Sequence, residues 1–242
     1  MNNFIIHQSN SRGEANHGWL HAKHSFSFAN YHNTKKMHFG VLRVLNDDKI
    51  AGGTGFGTHP HDNMEIITIP LKGALAHKDS MGNSSTIFAG DIQVMSAGTG
   101  IQHSEYNANT DETCELFQIW LFPNQRNVTP RYDQFSYKNL MVQNQLLNIL
   151  SPNETENGVW IHQNAWFSIG KFDTNYSKNY ALKNQLNGVY IMVISGSFEI
   201  ENQQLSNRDA IGIWDKEIIT INSLSQDSEI LILEIPMEIK TS

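Results

Sequence analysis

Apolar residues run along this chain in short bursts separated by polar, glycine-rich breaks. Val41-Leu42-Arg43-Val44-Leu45 is one burst, Glu65-Ile66-Ile67-Thr68-Ile69-Pro70-Leu71 a second, and Leu116-Phe117-Gln118-Ile119-Trp120-Leu121 a third. Each is too short for a typical helix and is flanked within a few residues by Gly, Asn, Asp or Pro, so the pattern predicts an all-β chain of many short strands. Asp48-Lys49, Gly52-Gly53, Gly82-Asn83, Gly90-Asp91 and Gly98-Thr99-Gly100 read as hairpin punctuation. The same texture returns later, at Val189-Tyr190-Ile191-Met192-Val193-Ile194, Phe198-Glu199-Ile200, Asp209-Ala210-Ile211-Gly212-Ile213-Trp214, Ile218-Ile219-Thr220-Ile221 and Ile230-Leu231-Ile232-Leu233-Glu234-Ile235.

Residues 123–157 break this rhythm. Pro123, Pro130 and Pro152 punctuate them, Asn and Gln are dense, and Leu140, Met141, Leu146, Leu147 and Leu150 are the apolar anchors. They read as a connector with room for one short helix around 138–148, dividing the chain into 1–122 and 158–242. The halves share a pattern. A strand reaching Leu71-Lys72-Gly73 is followed by a hairpin and Gly90-Asp91-Ile92, just as one reaching Ile194-Ser195-Gly196 is followed by Arg208-Asp209-Ala210-Ile211. That suggests two copies of one β unit.

Charge and cysteine usage narrow the partners. With 17 Lys and Arg against 24 Asp and Glu, the 242-residue chain has a formal net charge of -7 and no basic block. Direct nucleic-acid binding, which needs a basic field to displace counterions, is disfavoured, as is an anionic membrane surface. The single cysteine, Cys114, lies in a predicted strand and reads as a buried thiol suited to a reducing compartment. The start Met1-Asn2-Asn3-Phe4-Ile5-Ile6 lacks the basic and apolar regions of a signal peptide, and no run of about 18 apolar residues spans a membrane. The expected location is the cytoplasm and the expected state a monomer.

Candidate chemistry is concentrated early: ten of the eleven histidines fall at or before residue 103. In Gly57-Thr58-His59-Pro60-His61-Asp62-Asn63-Met64-Glu65, a strand would point His59 and His61 to one side, about 6–7 Å apart. In Gly98-Thr99-Gly100-Ile101-Gln102-His103-Ser104-Glu105, His103 and Glu105 repeat that spacing after a tight turn. If the two strands face each other, three imidazoles and a carboxylate surround one point. Such a set suits one divalent ion, with Fe(II) the first expectation and Mn, Co, Ni, Cu or Zn admitted. Glu65 shares parity with His59 and His61 and competes with Glu105 for the carboxylate role. His77, beside a hairpin, reads as a surface or supporting residue. The aromatic N-terminal stretch through Trp19, Phe26, Phe28 and Tyr31 reads as a packed outer strand or as walls for a flat ligand, and Met37, Phe39 and Phe56 as core or pocket wall.

Phe56–Glu65, His77-Lys78-Asp79-Ser80-Met81-Gly82-Asn83, Gly90–Asn107, Asn16-His17-Gly18-Trp19 and Phe26–Tyr31 together resemble the pirin-like family of the cupin superfamily. The similarity runs down to Ala210-Ile211-Gly212-Ile213-Trp214-Asp215 and is strongest to bacterial members with quercetin 2,3-dioxygenase activity. It implies a bicupin, two double-stranded β-helix (jelly-roll) barrels, with metal only in the N-terminal barrel. It carries the ligands onto His59, His61, His103 and Glu105 and leaves Glu65 as the fallback. It also implies a metal-dependent dioxygenase that opens the central ring of a flavonol with O2 and releases carbon monoxide, Glu105 moving the proton. The alternatives are a regulatory or redox-sensing metal protein that binds protein partners, and a cupin enzyme for another small oxygenated substrate.

Overall fold

The apolar bursts fold as strands, and side-chain alternation decides which core each face meets. The structure, a computed structural model, describes residues 3–239; residues 1–2 and 240–242, at the outer ends of the two expected barrel segments, lie outside the described residues. Two seven-stranded and two four-stranded sheets form two barrels. In the first, the large sheet runs in the order Arg131–Ser136, Asp91–Ser96, Glu65–Lys72, Cys114–Leu121, Leu42–Ile50, Leu20–His24, Gly13–Asn16. Its small sheet runs Gly55–His61, Ile101–Asn107, Ala74–Asp79, Ser84–Phe88. The second barrel repeats the plan with Phe4–His7, Ala210–Ile213, Asn187–Ser195, Ser228–Pro236, Trp166–Phe172, Gln145–Ser151 and Val159–Trp160. Ser177–Ala181, Ile218–Ser223, Phe198–Ile200 and Gln203–Leu205 make its small sheet. The chain is a bicupin, as its two matching sheet plans require. Among the described residues no helix is long and apolar enough to cross a membrane.

The two large sheets pack on each other through one continuous core. Leu45, Ile67, Ile69, Phe117 and Ile119 of the first meet Phe167, Tyr190, Met192, Leu231 and Leu233 of the second. The opposite faces of the same strands line the two barrel interiors, and there the barrels differ. The second is filled without a break by Val189, Ile191, Phe198, Ile219, Ile221, Ile230 and their neighbours. The first has two small apolar clusters, one around Leu75, Leu116 and Ile50, the other around Ile66, Met95 and Ile101. The strands joining those clusters carry buried polar residues instead: Asp48, Thr68, His103, Glu105 and Gln118. Burying polar groups is costly unless they find partners, so this interrupted core marks where the first barrel has a task besides folding.

Three local expectations change. Asp48-Lys49 is no turn: the strand Leu42–Ile50 runs through it, with Asp48 facing the first barrel's interior and Lys49 exposed on the other side. The connector 123–157 gives a strand to each barrel, the edge strand Arg131–Ser136 pairing with Asp91–Ser96 and Gln145–Ser151 with Trp166–Phe172. The first was hidden because an edge strand with half-exposed faces lacks apolar alternation. The second was hidden by a register shift between Asn148 and Leu150, which breaks the two-residue period and mimics helical spacing; the helical turn there is Lys138–Leu140 alone. Finally, Phe4–His7 pairs with Ala210–Ile213, so the chain's first strand closes the edge of the second barrel's sheet.

Candidate metal centre

The site grows from the central strand of the first barrel's small sheet, Ile101–Asn107. The turn feeding it needs glycine: Gly98 has φ 48°, and the carbonyl of Val128 occupies the place a Cβ would take. Beyond the turn, His103 pairs with His59 across the ladder and with Asp79 on the other side, while Glu105 pairs with His77. A register shift between His103 and Glu105 sets Glu105 opposite Phe56 rather than Gly57.

Strand alternation aims His59 and His61 together, and the cross-strand pairing brings His103 to them. The ring centroids lie 4.8 Å (His59–His61), 4.5 Å (His59–His103) and 4.9 Å (His61–His103) apart. Their donor atoms lie within 4.8 Å of one another, a set able to hold a metal ion. A second set of the same tightness, His77, His103 and Glu105, shares His103 and is wholly buried. His77 is therefore no surface residue; it packs 5.3 Å from His103 and 4.9 Å from Tyr132, centroid to centroid.

Two observations fit these residues to a cation with open coordination positions. Both ring nitrogens of His103 are buried without a hydrogen-bond partner, an unusual expense for a core histidine. His59 Nδ1 donates to the Gly57 carbonyl at 2.8 Å, which fixes the tautomer and leaves Nε2 with a free lone pair. Burial, then the charge of His59, pushes His61 down to about 4, and burial, then the charges of His59, His61 and His77, pushes His103 lower still. Both imidazoles are thus neutral near pH 7, the form that ligates metals.

Glu105 is buried and held by Thr68, whose hydroxyl donates to Oε1 at 3.3 Å, and by Gln118, whose amide donates to Oε2 at 3.1 Å. Burial pushes its carboxyl up to about 7, against the pull of those two bonds. Glu65 lies elsewhere. The turn at Asp62-Asn63, with Asn63 at φ 45°, ends the His59 strand, so Glu65 opens a strand of the other sheet and parity does not carry across. It is buried, accepts a 2.7 Å bond from the Ser96 hydroxyl, and belongs to neither donor set.

His59, His61 and Glu105 open onto a cavity of about 390 Å³, within the usual range of ligand pockets. Trp19, Phe28, Phe56 and Trp120 supply its aromatic walls, with Trp19 edge-on to Phe56 at 5.1 Å and Phe28 edge-on to Trp120 at 5.3 Å. The N-terminal aromatic stretch is thus both things expected of it: outer strands, with Trp19 and Phe28 turned to the cavity. Phe39 joins the core between the barrels. Asn46, Asp48, Thr68 and Gln118 were not foreseen. The available signal was a polar residue at the inward parity of an otherwise apolar strand, as Gln118 is between Leu116 and Trp120.

The second barrel offers a direct contrast. Its strand Ile218–Ser223 holds the sheet position of Ile101–Asn107, and its buried residues are Ile219, Ile221 and Ser223 in place of histidine and glutamate. Among the described residues, both donor sets lie in the first barrel.

Residues 6–121 match the family described as Pirin, and residues 148–235 the one described as Quercetinase C-terminal cupin domain. The chain is 43% identical over 235 residues to the quercetin 2,3-dioxygenase of Escherichia coli K12, covering 96% of this chain and 98% of that protein. The chain belongs to the pirin family. A pirin-like protein of Caulobacter vibrioides is 39% identical over 92% of this chain and 95% of its own length. Among solved structures, the bacterial pirin YhhW of Escherichia coli in complex with nickel(II) superposes with a TM-score of 0.91 at 41% identity. That match covers 96% of this chain and 99% of the other. In this pirin both donor sets lie in the barrel that carries the Pirin match.

Proposed function

We propose that this pirin is a metal-dependent dioxygenase that opens the central ring of a flavonol such as quercetin with O2 and releases carbon monoxide. The observation that carries the reading is the polar break in the first barrel's core. Three imidazoles converge there around the unpartnered nitrogens of His103, beside an aromatic cavity large enough for a flat ligand. The name of the Escherichia coli relative supplies the substrate class, and the nickel(II) complex of YhhW supports metal binding by a pirin of this fold.

His59, His61, His103 and Glu105 would hold one divalent ion, Fe(II) first and Mn, Co, Ni, Cu or Zn by the same donors. The ion belongs to the first barrel segment, 1–122; 158–242 carries none, and 123–157 joins them. When bound, the ion supplies Lewis acidity that makes an enolic hydroxyl easier to ionise. Glu105, steadied by Thr68 and Gln118, takes the hydroxyl proton and returns it to product. Trp19, Phe28, Phe56 and Trp120 clasp the planar rings and keep water from the opened ring.

The test is elemental analysis of purified protein together with oxygen uptake and carbon monoxide release on quercetin. About one ion per chain is expected, falling several-fold in His103→Ala. Glu105→Ala should lower turnover by at least about a hundredfold. Metal-loaded protein with no turnover, or turnover unchanged in Glu105→Ala, overturns the reading.

A further inference from the structure

Asp48 is the one carboxyl or amide side chain lining the cavity that has no hydrogen bond among the described residues. Asn46 accepts from His24 Nδ1 at 2.8 Å, and Gln118 and Glu105 bond each other at 3.1 Å. Asp48, only 4% exposed, lines the same cavity, and its Oδ1 is buried without a partner. Among the described residues it has no ion-pair partner, and the charges that act on it are those of Asp47 and Glu105, both acids. A buried carboxyl in that condition is destabilising and is retained where something outside the fold completes it.

Its place says what that something is. Asp48 pairs with Leu116, while Val44, four residues away on the same face, pairs with Trp120. Trp120 in turn packs 4.9 Å from His61. Asp48 therefore lies along the strand from the Trp120 end of the cavity, on the same face, with Glu105 among its charged neighbours. A flat molecule whose reacting oxygen faces His59 and His61 would carry another of its ring hydroxyls toward Asp48. Trp19 and Phe56, packed edge-on, wall the cavity that the molecule would enter.

We propose that Asp48 is a substrate-anchoring residue that hydrogen-bonds a ring hydroxyl other than the reacting one, selecting polyhydroxylated aromatics over their bare-ring analogues. The proposal rests on the flavonol reading of the site and adds the feature that the substrate must carry. It explains why the strand Leu42–Ile50 keeps an acid without a partner at an inward position, whereas the buried acid of the second barrel, Glu234, is held by four donors.

The experiment is anaerobic titration of the metal-loaded full chain, followed by quenching of tryptophan fluorescence, since Trp19 and Trp120 line the cavity. The probes are quercetin and 3-hydroxyflavone, which keeps the enolic hydroxyl and lacks the others. Wild type should prefer quercetin by about ten- to a hundredfold. Asp48→Leu should collapse that ratio towards one, and Asp48→Asn, which keeps an acceptor oxygen, should retain part of it. Should the leucine variant fail to fold, Asp48→Ala is read in the same way. A ratio unchanged by Asp48→Leu or Asp48→Ala, or no preference in wild type, overturns the role of Asp48 while leaving the flavonol reading in place. No binding of either probe to wild type overturns both.

Discussion

His7 shows how a single buried residue ties this fold to pH. Its Nδ1 meets the Tyr190 hydroxyl at 2.9 Å, its Nε2 has no partner, and its ring packs 5.5 Å from Phe26. Burial, aided by the charges of Lys36 and Arg12, pushes it from 6.5 down to about 4. The unfolded chain therefore takes up a proton that the folded chain refuses. The contribution of His7 to stability is complete above pH 6.5 and is lost as pH falls towards 4, by up to about 1.4 kcal/mol per pH unit. Glu65 and Glu105, both pushed up to about 7, act in the opposite sense: the folded chain binds their protons first, so acid favours it between pH 7 and their usual range. The measurement is thus a difference. Denaturant unfolding of wild type and of His7→Gln at pH 7 and pH 5 should show wild type losing more on acidification; parallel losses would reject the assignment.

At the scale of elements, one buried carboxylate organises the entry to the second barrel's strand Asn187–Ser195. Glu234 accepts from the Tyr180 hydroxyl at 2.8 Å and the Lys183 amide at 3.0 Å through Oε2. Through Oε1 it accepts from the Asn184 amide at 2.9 Å and Asn187 Nδ2 at 3.0 Å. Four donors on two oxygens pin the loop between Ser177–Ala181 and Asn187–Ser195 to Ser228–Pro236. Glu234→Gln would turn an amide nitrogen toward two of those donors and leave them unsatisfied. A loss of about 2–6 kcal/mol in chemical denaturation is expected, with metal binding in the other barrel retained in whatever fraction remains folded. A change under about 1 kcal/mol would mean the donors find other partners.

For the whole molecule, the chain's first strand matters more than its length suggests. Phe4–His7 covers the edge of the second barrel's large sheet, beside Ala210–Ile213, and carries His7 to Tyr190. Deleting residues 1–7 should expose that edge to other chains, lowering the thermal midpoint and producing association on size-exclusion chromatography. A monodisperse truncated protein of unchanged midpoint would show that the edge needs no cover. The same long-range closure explains what could be read in advance. Short apolar bursts and two-residue spacing determined an all-β chain of two similar halves, and placed His59 beside His61. Residue motifs resembling one family pointed to a bicupin with its chemistry at the front. These are local properties, because strand alternation and turn chemistry act over a few residues. Only the tertiary structure decided that Asp48-Lys49 continues a strand, that Glu65 leaves for the other sheet, and that His77 joins His103 and Glu105 in the interior. Each depends on which strands become neighbours across long stretches of chain. Register shifts and polar edge strands erase from the sequence the period that would announce them.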